Sequence, residues 1–88
     1  MKYNRYIFVT LENDVEVISN EIVYVIDSDQ IIKFRCPCGC NEIIQLSMVD
    51  GNVPKWKVIN YNTISPSINR IVGCRSHFSI ILGTVVED

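Results

Sequence analysis

Short apolar runs, set apart by polar and turn-forming residues, recur along the whole chain, and this pattern predicts strands. YIFVT (6–10) precedes the polar ENDV, and VEVI (15–18) alternates before SNE turns the chain. IVYVI (22–26) is a continuous apolar run bounded by DSDQ (27–30). IIKF (31–34) leads into a cysteine cluster, and EIIQL (42–46) leads out of it. DGN (50–52) reads as a hairpin-type turn, because Asp-Gly readily takes positive φ. KWKVI (55–59) sets Trp56 and Val58 on one face against Lys55, Lys57 and Ile59. FSIIL (78–82), Gly83 and TVV (84–86) predict a closing pair of strands.

Val15, Ile18, Ile22 and Ile26 also fit one stripe of a helix, so a small α+β fold is the variant reading. The β-branched content favours a strand or a very short helix there. NYNTISPSINRIVG (60–73) is the longest region without a strand period and reads as a loop. Pro66 disfavours a helix ahead of it, and Ser65 can cap a short helix that starts at Pro66. A long loop in a small domain is more often functional than idle.

With 88 residues the chain is expected to form one domain over residues 1–88. A chain near this size buries only somewhat more than roughly 60% of its unfolded surface, so the core is thin and a staple helps. At 48% hydrophobic and 20% charged residues, composition is that of a globular protein and excludes disorder. No apolar run approaches the roughly 20 residues of a membrane span, and the first residues lack a signal-peptide core. A cytoplasmic protein is the expectation, with no membrane partner.

Charge is uneven. From Glu12 to Asp29 there are six acidic residues and no basic one; from Lys33 to Arg75 there are six basic residues and two acidic ones, Glu42 and Asp50. The plain reading is two solvated faces, and the sharper one a docking surface for an acidic partner. A pI near 5.2, with no basic stripe interleaved with aromatics, speaks against nucleic acid.

The chemistry concentrates in CPCGC (36–40), with a fourth cysteine and the lone histidine in GCRSHF (73–78). Reducing conditions in the cytosol favour a metal or catalytic role over disulfides, and a bridge between alternate residues here would close a very short, strained ring. Zinc needs four ligands in a tetrahedron, whereas alternate residues on a straight strand stand roughly 6–7 Å apart. The backbone must turn, and Pro37 and Gly39 are the residues that let it. Three ligands from one loop then need one from a distance, for which Cys74 is the natural candidate. A closed four-thiolate shell is structural and supplies folding free energy. Some of the cysteines could instead be plain buried thiols.

His77 is a fork. C-x-x-H is a common zinc-knuckle step, so His77 is either the fourth ligand or free for other work. Histidine is the residue type whose unperturbed pKa lies near neutrality. A lone histidine is also, most often, an ordinary surface or core residue.

CPCGC, SPSI (65–68) and CRSHF (74–78), in this order and spacing, resemble a small bacterial zinc-domain family long catalogued as a domain of unknown function. Its members occur beside ubiquitin-like proteins and their E1- and E2-like conjugation enzymes. The resemblance implies a serine protease with a Ser-His dyad that acts on ubiquitin-like conjugates. Carried over, the resemblance makes Cys36, Cys38, Cys40 and Cys74 the ligands of one structural Zn2+. It makes Ser67 the nucleophile and His77 the base. This chain departs from the pattern at three places: Asn41 where glycine often follows the third cysteine, Phe34 where many members have histidine, and Arg70 where an aromatic is common.

Residue chemistry is compatible with these roles. A serine hydroxyl needs a base to take its proton. Ser65, Ser76 and Ser79 are rivals of Ser67; Ser76 is badly placed, because neighbours on a strand point to opposite faces. Glu42, beside the cysteine loop, is the carboxylate offered as a third residue to orient His77. The expectation is thus a mainly β domain, a sheet or partial barrel stapled by one zinc. Its function would be to cleave peptide or isopeptide bonds of a ubiquitin-like protein. The alternative is a non-catalytic zinc module that docks a ubiquitin-like or conjugation-enzyme partner.

Overall fold

β-Branched and aromatic residues favour extended backbone. In the computed structural model, which describes residues 1–70 and 73–87, the apolar runs become eight strands, and no helix occurs among the described residues. The first four are β1 (Ile7–Leu11), β2 (Ile22–Ile26), β3 (Ile31–Arg35) and β4 (Ile43–Ser47). The other four are β5 (Lys57–Ile59), β6 (Thr63–Asn69), β7 (His77–Ile81) and β8 (Thr84–Glu87). They form two four-stranded sheets, ordered β1-β2-β3-β4 and β5-β6-β7-β8.

Inward-facing residues of both sheets share one core. Val23, Ile32, Phe34, Ile44 and Leu46 from the first meet Ile64, Ile68, Phe78 and Ile80 from the second. Phe34 and Phe78 are fully buried and cross edge-to-face at 6.3 Å between ring centroids, an arrangement that adds to their burial. Tyr6 packs edge-on against Phe34 and donates its hydroxyl hydrogen to the Arg35 carbonyl.

Two stretches differ from the sequence expectation. VEVI forms no strand. β1 and β2 run parallel, with Ile7 opposite Ile22, and parallel neighbours need a crossover rather than a tight turn. Residues 12–21 supply it. Ile18 anchors it in a small cluster with Tyr24 and Ile26. Two basic residues of β3 hold it down: Lys33 Nζ lies 3.1 Å from Asp14 Oδ1, and Arg35 Nε donates to the Ile18 carbonyl at 2.7 Å.

The second correction concerns residues 60–73, read as a loop with a possible short helix at Pro66. They contain β6, and Ile71 and Val72 lie outside the described residues. The irregular pattern has a physical cause. β6 pairs with β7 at Ile64↔Ile80 and again at Ile68↔Phe78, so Ser65, Pro66 and Ser67 stand against Ser79 alone. Pro66 has no N–H for the ladder, and such residues occupy bulges. The extra residues break the period of two that marks a strand in sequence.

The Asp-Gly turn forms, with Gly51 at φ 93°, but it carries the chain from the first sheet to the second instead of closing a hairpin. The β7–β8 pair closes as expected, with Leu82 and Gly83 both at positive φ, the signature of a two-residue hairpin turn.

Candidate metal centre and active site

CPCGC is the tip of the β3–β4 hairpin. The last ladder pair is Arg35↔Ile43, after which the Cys36 amide bonds to the Glu42 carbonyl at 2.9 Å and closes the loop. Within it Gly39 (φ 90°) and Asn41 (φ 66°) take the left-handed conformation. Glycine adopts that conformation without cost, and asparagine tolerates it better than other side chains. This explains why Asn41 can stand where a glycine is common. Cys74 arrives from the β6–β7 connection, between Gly73 (φ 67°) and Arg75 (φ 54°).

These two turns bring four sulfurs together. The Sγ atoms of Cys36, Cys38, Cys40 and Cys74 all lie within 4.8 Å of one another. Cys36 Sγ is 3.4 Å from both Cys38 Sγ and Cys74 Sγ, well beyond a disulfide bond of about 2.05 Å, and all four are free thiols. A Zn–S length of about 2.3 Å puts tetrahedral sulfurs roughly 3.8 Å apart. The spacing and the soft donor set fit one thiophilic metal ion with a closed shell.

The four thiols are unequal. Burial pushes the Cys36 thiol up to about 12. At Cys74 burial acts the same way but is outweighed; the Ser76 hydroxyl and amide, then the Cys38 and Cys36 sulfurs, bring that thiol down to about 6. Cys74 therefore ionises before Cys36. A divalent cation among them favours the thiolate of all four.

Arg70 borders this cluster. Its Nη2 donates to Glu42 Oε2, and its side chain is only 13% exposed. Burial opposes its charge, while Glu42, Cys36 and Cys74 sustain it and keep the guanidinium protonated. Nη1 is buried and makes no hydrogen bond with any described residue. Glu42, suggested as an orienting partner of His77, thus gives its carboxylate to Arg70. The Gly73 position lies against the same carboxylate, which a Cβ there would meet at 2.9 Å. Sequence reasoning noted Arg70 only as a departure from an aromatic position. The usable signal was a single carboxylate, Glu42, adjoining the cysteine loop.

His77 lies outside the sulfur cluster and opens β7, directly across from Asn69 of β6. Arg70 donates its amide to the Ser76 carbonyl at 2.8 Å, so backbone groups at 70 and 68 face β7. Ser67 and Asn69, two residues apart, share the exposed face with His77. The result is that Ser67 Oγ sits 3.4 Å from His77 Nε2. Ser65 and Ser79 border the same bulge, but the hydroxyl against His77 Nε2 is that of Ser67. Ser76 Oγ is 3.1 Å from Cys74 Sγ, Ser65 is paired with Lys57, and Ser79 with Val86.

An all-β fold of two sheets, with a metal-competent four-cysteine knuckle next to a Ser-His pair, defines the class. Residues 9–87 match the family model described as bacterial ubiquitination-like system serine protease (BubE), and the chain belongs to that family. The family shown is the one so described, and not the zinc-domain family under the name that its motifs suggested; the association with a ubiquitination-like system is common to both. Comparison with curated proteins and with solved structures finds no match. No helix among the described residues is long and apolar enough to cross a membrane.

Proposed function

We propose that this chain is a Ser-His dyad protease that cleaves peptide or isopeptide bonds of a ubiquitin-like protein. The observation that carries the reading is the 3.4 Å approach of Ser67 Oγ to His77 Nε2. Catalytic hydrogen bonds are often long before substrate binds and tighten in the complex. Family membership supports a serine protease in a ubiquitination-like system, and so supports ubiquitin-like partners and their E1- and E2-like enzymes.

In this mechanism His77 Nε2 accepts the Ser67 proton as Oγ bonds to the scissile carbonyl carbon. The tetrahedral adduct collapses, the C–N bond breaks, and His77 returns the proton to the departing amine. Water, deprotonated by His77, then attacks the acyl ester and frees the carboxylate product and Ser67. Cys36, Cys38, Cys40 and Cys74 would hold a structural Zn2+ that takes no part in bond breaking. Its contribution is to fix the turn that runs through Cys74 to His77.

A fluorophosphonate probe tests the reading directly. It should label Ser67 and no other serine, and labelling should fall sharply in His77→Ala. Equal labelling of Ser67→Ala and wild type would refute the assignment.

A further inference from the structure

Ser67 and His77 have different surroundings. Ser67 lies on the β6 side of His77. On the β8 side opens a cleft of about 530 Å3, walled by Met1, Lys2, Cys38, Arg75, Glu87 and His77 itself. Ser67 is not part of its wall.

The charges around this cleft are lopsided. The one carboxylate among its described wall residues, Glu87, meets the Met1 amino group at 3.0 Å. Lys2 and Arg75 are exposed and make no ion pair with any described residue. Lys2 is held in place, with its Nζ 5.7 Å from the centroid of the Tyr3 ring. The Lys2 stem fills the notch that Gly39 leaves in the cysteine loop, its Cδ 2.6 Å from where a Cβ would be. The adjoining Tyr3 amide bonds to the Pro37 carbonyl at 2.9 Å. The Arg75 backbone is set between Cys74 and His77 at φ 54°. Two cations thus flank the space beside the base.

The chemistry of acyl transfer says what enters that space. The imidazole that takes the serine proton gives it to the leaving amine, so the leaving group sits on the histidine side of the scissile bond. Resting on the dyad reading above, we propose that this cleft binds the leaving-group side of the substrate and selects carboxylates there. The released polypeptide carries acidic residues next to the scissile bond, and Lys2 and Arg75 bind them. Oppositely charged contacts of this kind act on specificity more than on raw affinity.

The test uses the full chain in its metal-loaded form. Its substrates are fusions of the cognate ubiquitin-like protein to a reporter whose first residues are a run of aspartate, of alanine or of lysine. Wild type should cleave the aspartate fusion roughly tenfold better in kcat/KM than the lysine fusion, a factor worth about 1.4 kcal/mol. The preference should shrink as salt is raised. Lys2→Gln with Arg75→Gln should level the fusions, since glutamine keeps the stem at Gly39 and the backbone at 75 while removing the charge. Metal content and melting temperature of the double variant establish that it is folded. Equal cleavage of all fusions by wild type overturns the carboxylate preference and leaves the dyad standing. No cleavage of any fusion, together with no fluorophosphonate labelling, removes both.

Discussion

Arg70 donates to Glu42, and this one ion pair ties the end of β6, the strand of Ser67, to the cysteine loop between β3 and β4. The two sheets therefore share more than an apolar core. The guanidinium also faces Cys36 and Cys74, so a four-thiolate metal centre would have its excess negative charge met from the β6 side.

Arg70→Met should therefore weaken metal binding. It keeps most of the stem volume and removes the charge. Outer partners of metal ligands typically contribute 10–100-fold to affinity, and the loss here should fall in about that range. Glu42→Gln should cost less, because Glu42 is about half exposed while Arg70 is nearly buried. Competition with a chromophoric chelator measures both. An Arg70→Met protein that binds metal as tightly as wild type would show that the guanidinium serves the fold alone.

Metal content separates the two branches at His77. Cys74→Ser should lose the ion and a large part of the stability, whereas His77→Ala should retain both. Elemental analysis should give about one zinc per chain for wild type and His77→Ala. Acid should release the ion, because ligation requires thiolates and protons compete for the same sulfurs. The sign follows from the thiols themselves. Burial pushes Cys36 up to about 12 while Cys74 is brought down to about 6, so deprotonation of Cys36 leans on the metal more than that of Cys74. A His77→Ala protein without zinc would make the imidazole a ligand and remove it from the dyad.

The core should respond at Phe78, which bridges the sheets against Phe34 and lies next to His77. Phe78→Ala removes a fully buried ring and should cost about 3–5 kcal/mol, enough to unfold much of a small domain. Phe78→Leu keeps most of the volume and should cost far less. Urea unfolding of the two variants checks the ordering. Equal midpoints would mean that the sheets are held together elsewhere.

The sequence predicted those strands whose neighbours are simple. IVYVI is β2 residue for residue, and KWKVI alternates in the structure as it does on paper, with Trp56 and Val58 partly buried and the lysines exposed. It failed where the backbone does something that the apolar pattern does not encode. The parallel pairing of β1 and β2 turned an alternating VEVI into a crossover, and nothing local to those residues distinguishes the two. The bulge at Ser65–Ser67 hid β6, because three residues facing one destroy the period. The four-sulfur cluster was legible, since CPCGC cannot be straight and still hold an ion. The Ser67–His77 pair was reached through resemblance; composition and spacing alone left it among several serines. The Lys2–Gly39 contact and the Arg70–Glu42 pair were not read from the sequence, because each joins residues from across the fold.

Ser67 should be the only serine whose loss abolishes cleavage of a cognate ubiquitin-like fusion. Ser67→Ala removes the hydroxyl that faces His77 Nε2 and touches nothing in the sulfur cluster, so zinc content and melting temperature should stay at wild-type values. Dyad enzymes retain some rate without their nucleophile, from binding and oxyanion stabilisation, so kcat should fall by about a thousandfold or more rather than to zero. His77→Ala should fall by a similar factor, and the double variant should be no worse than either single one, because the two residues act as one unit. Ser65→Ala and Ser79→Ala are the controls. Both lie beside Ser67 where β6 bulges against β7, but the hydroxyl against His77 Nε2 is that of Ser67, so each should retain most of the activity. Ser76→Ala should act differently again, by removing the hydroxyl 3.1 Å from Cys74 Sγ, and should show first in metal affinity. Single-turnover kinetics with metal analysis on the same samples distinguishes these outcomes. Full activity in Ser67→Ala would hand the site to a different nucleophile, and full activity in every serine variant would leave the chain a zinc-stapled docking module.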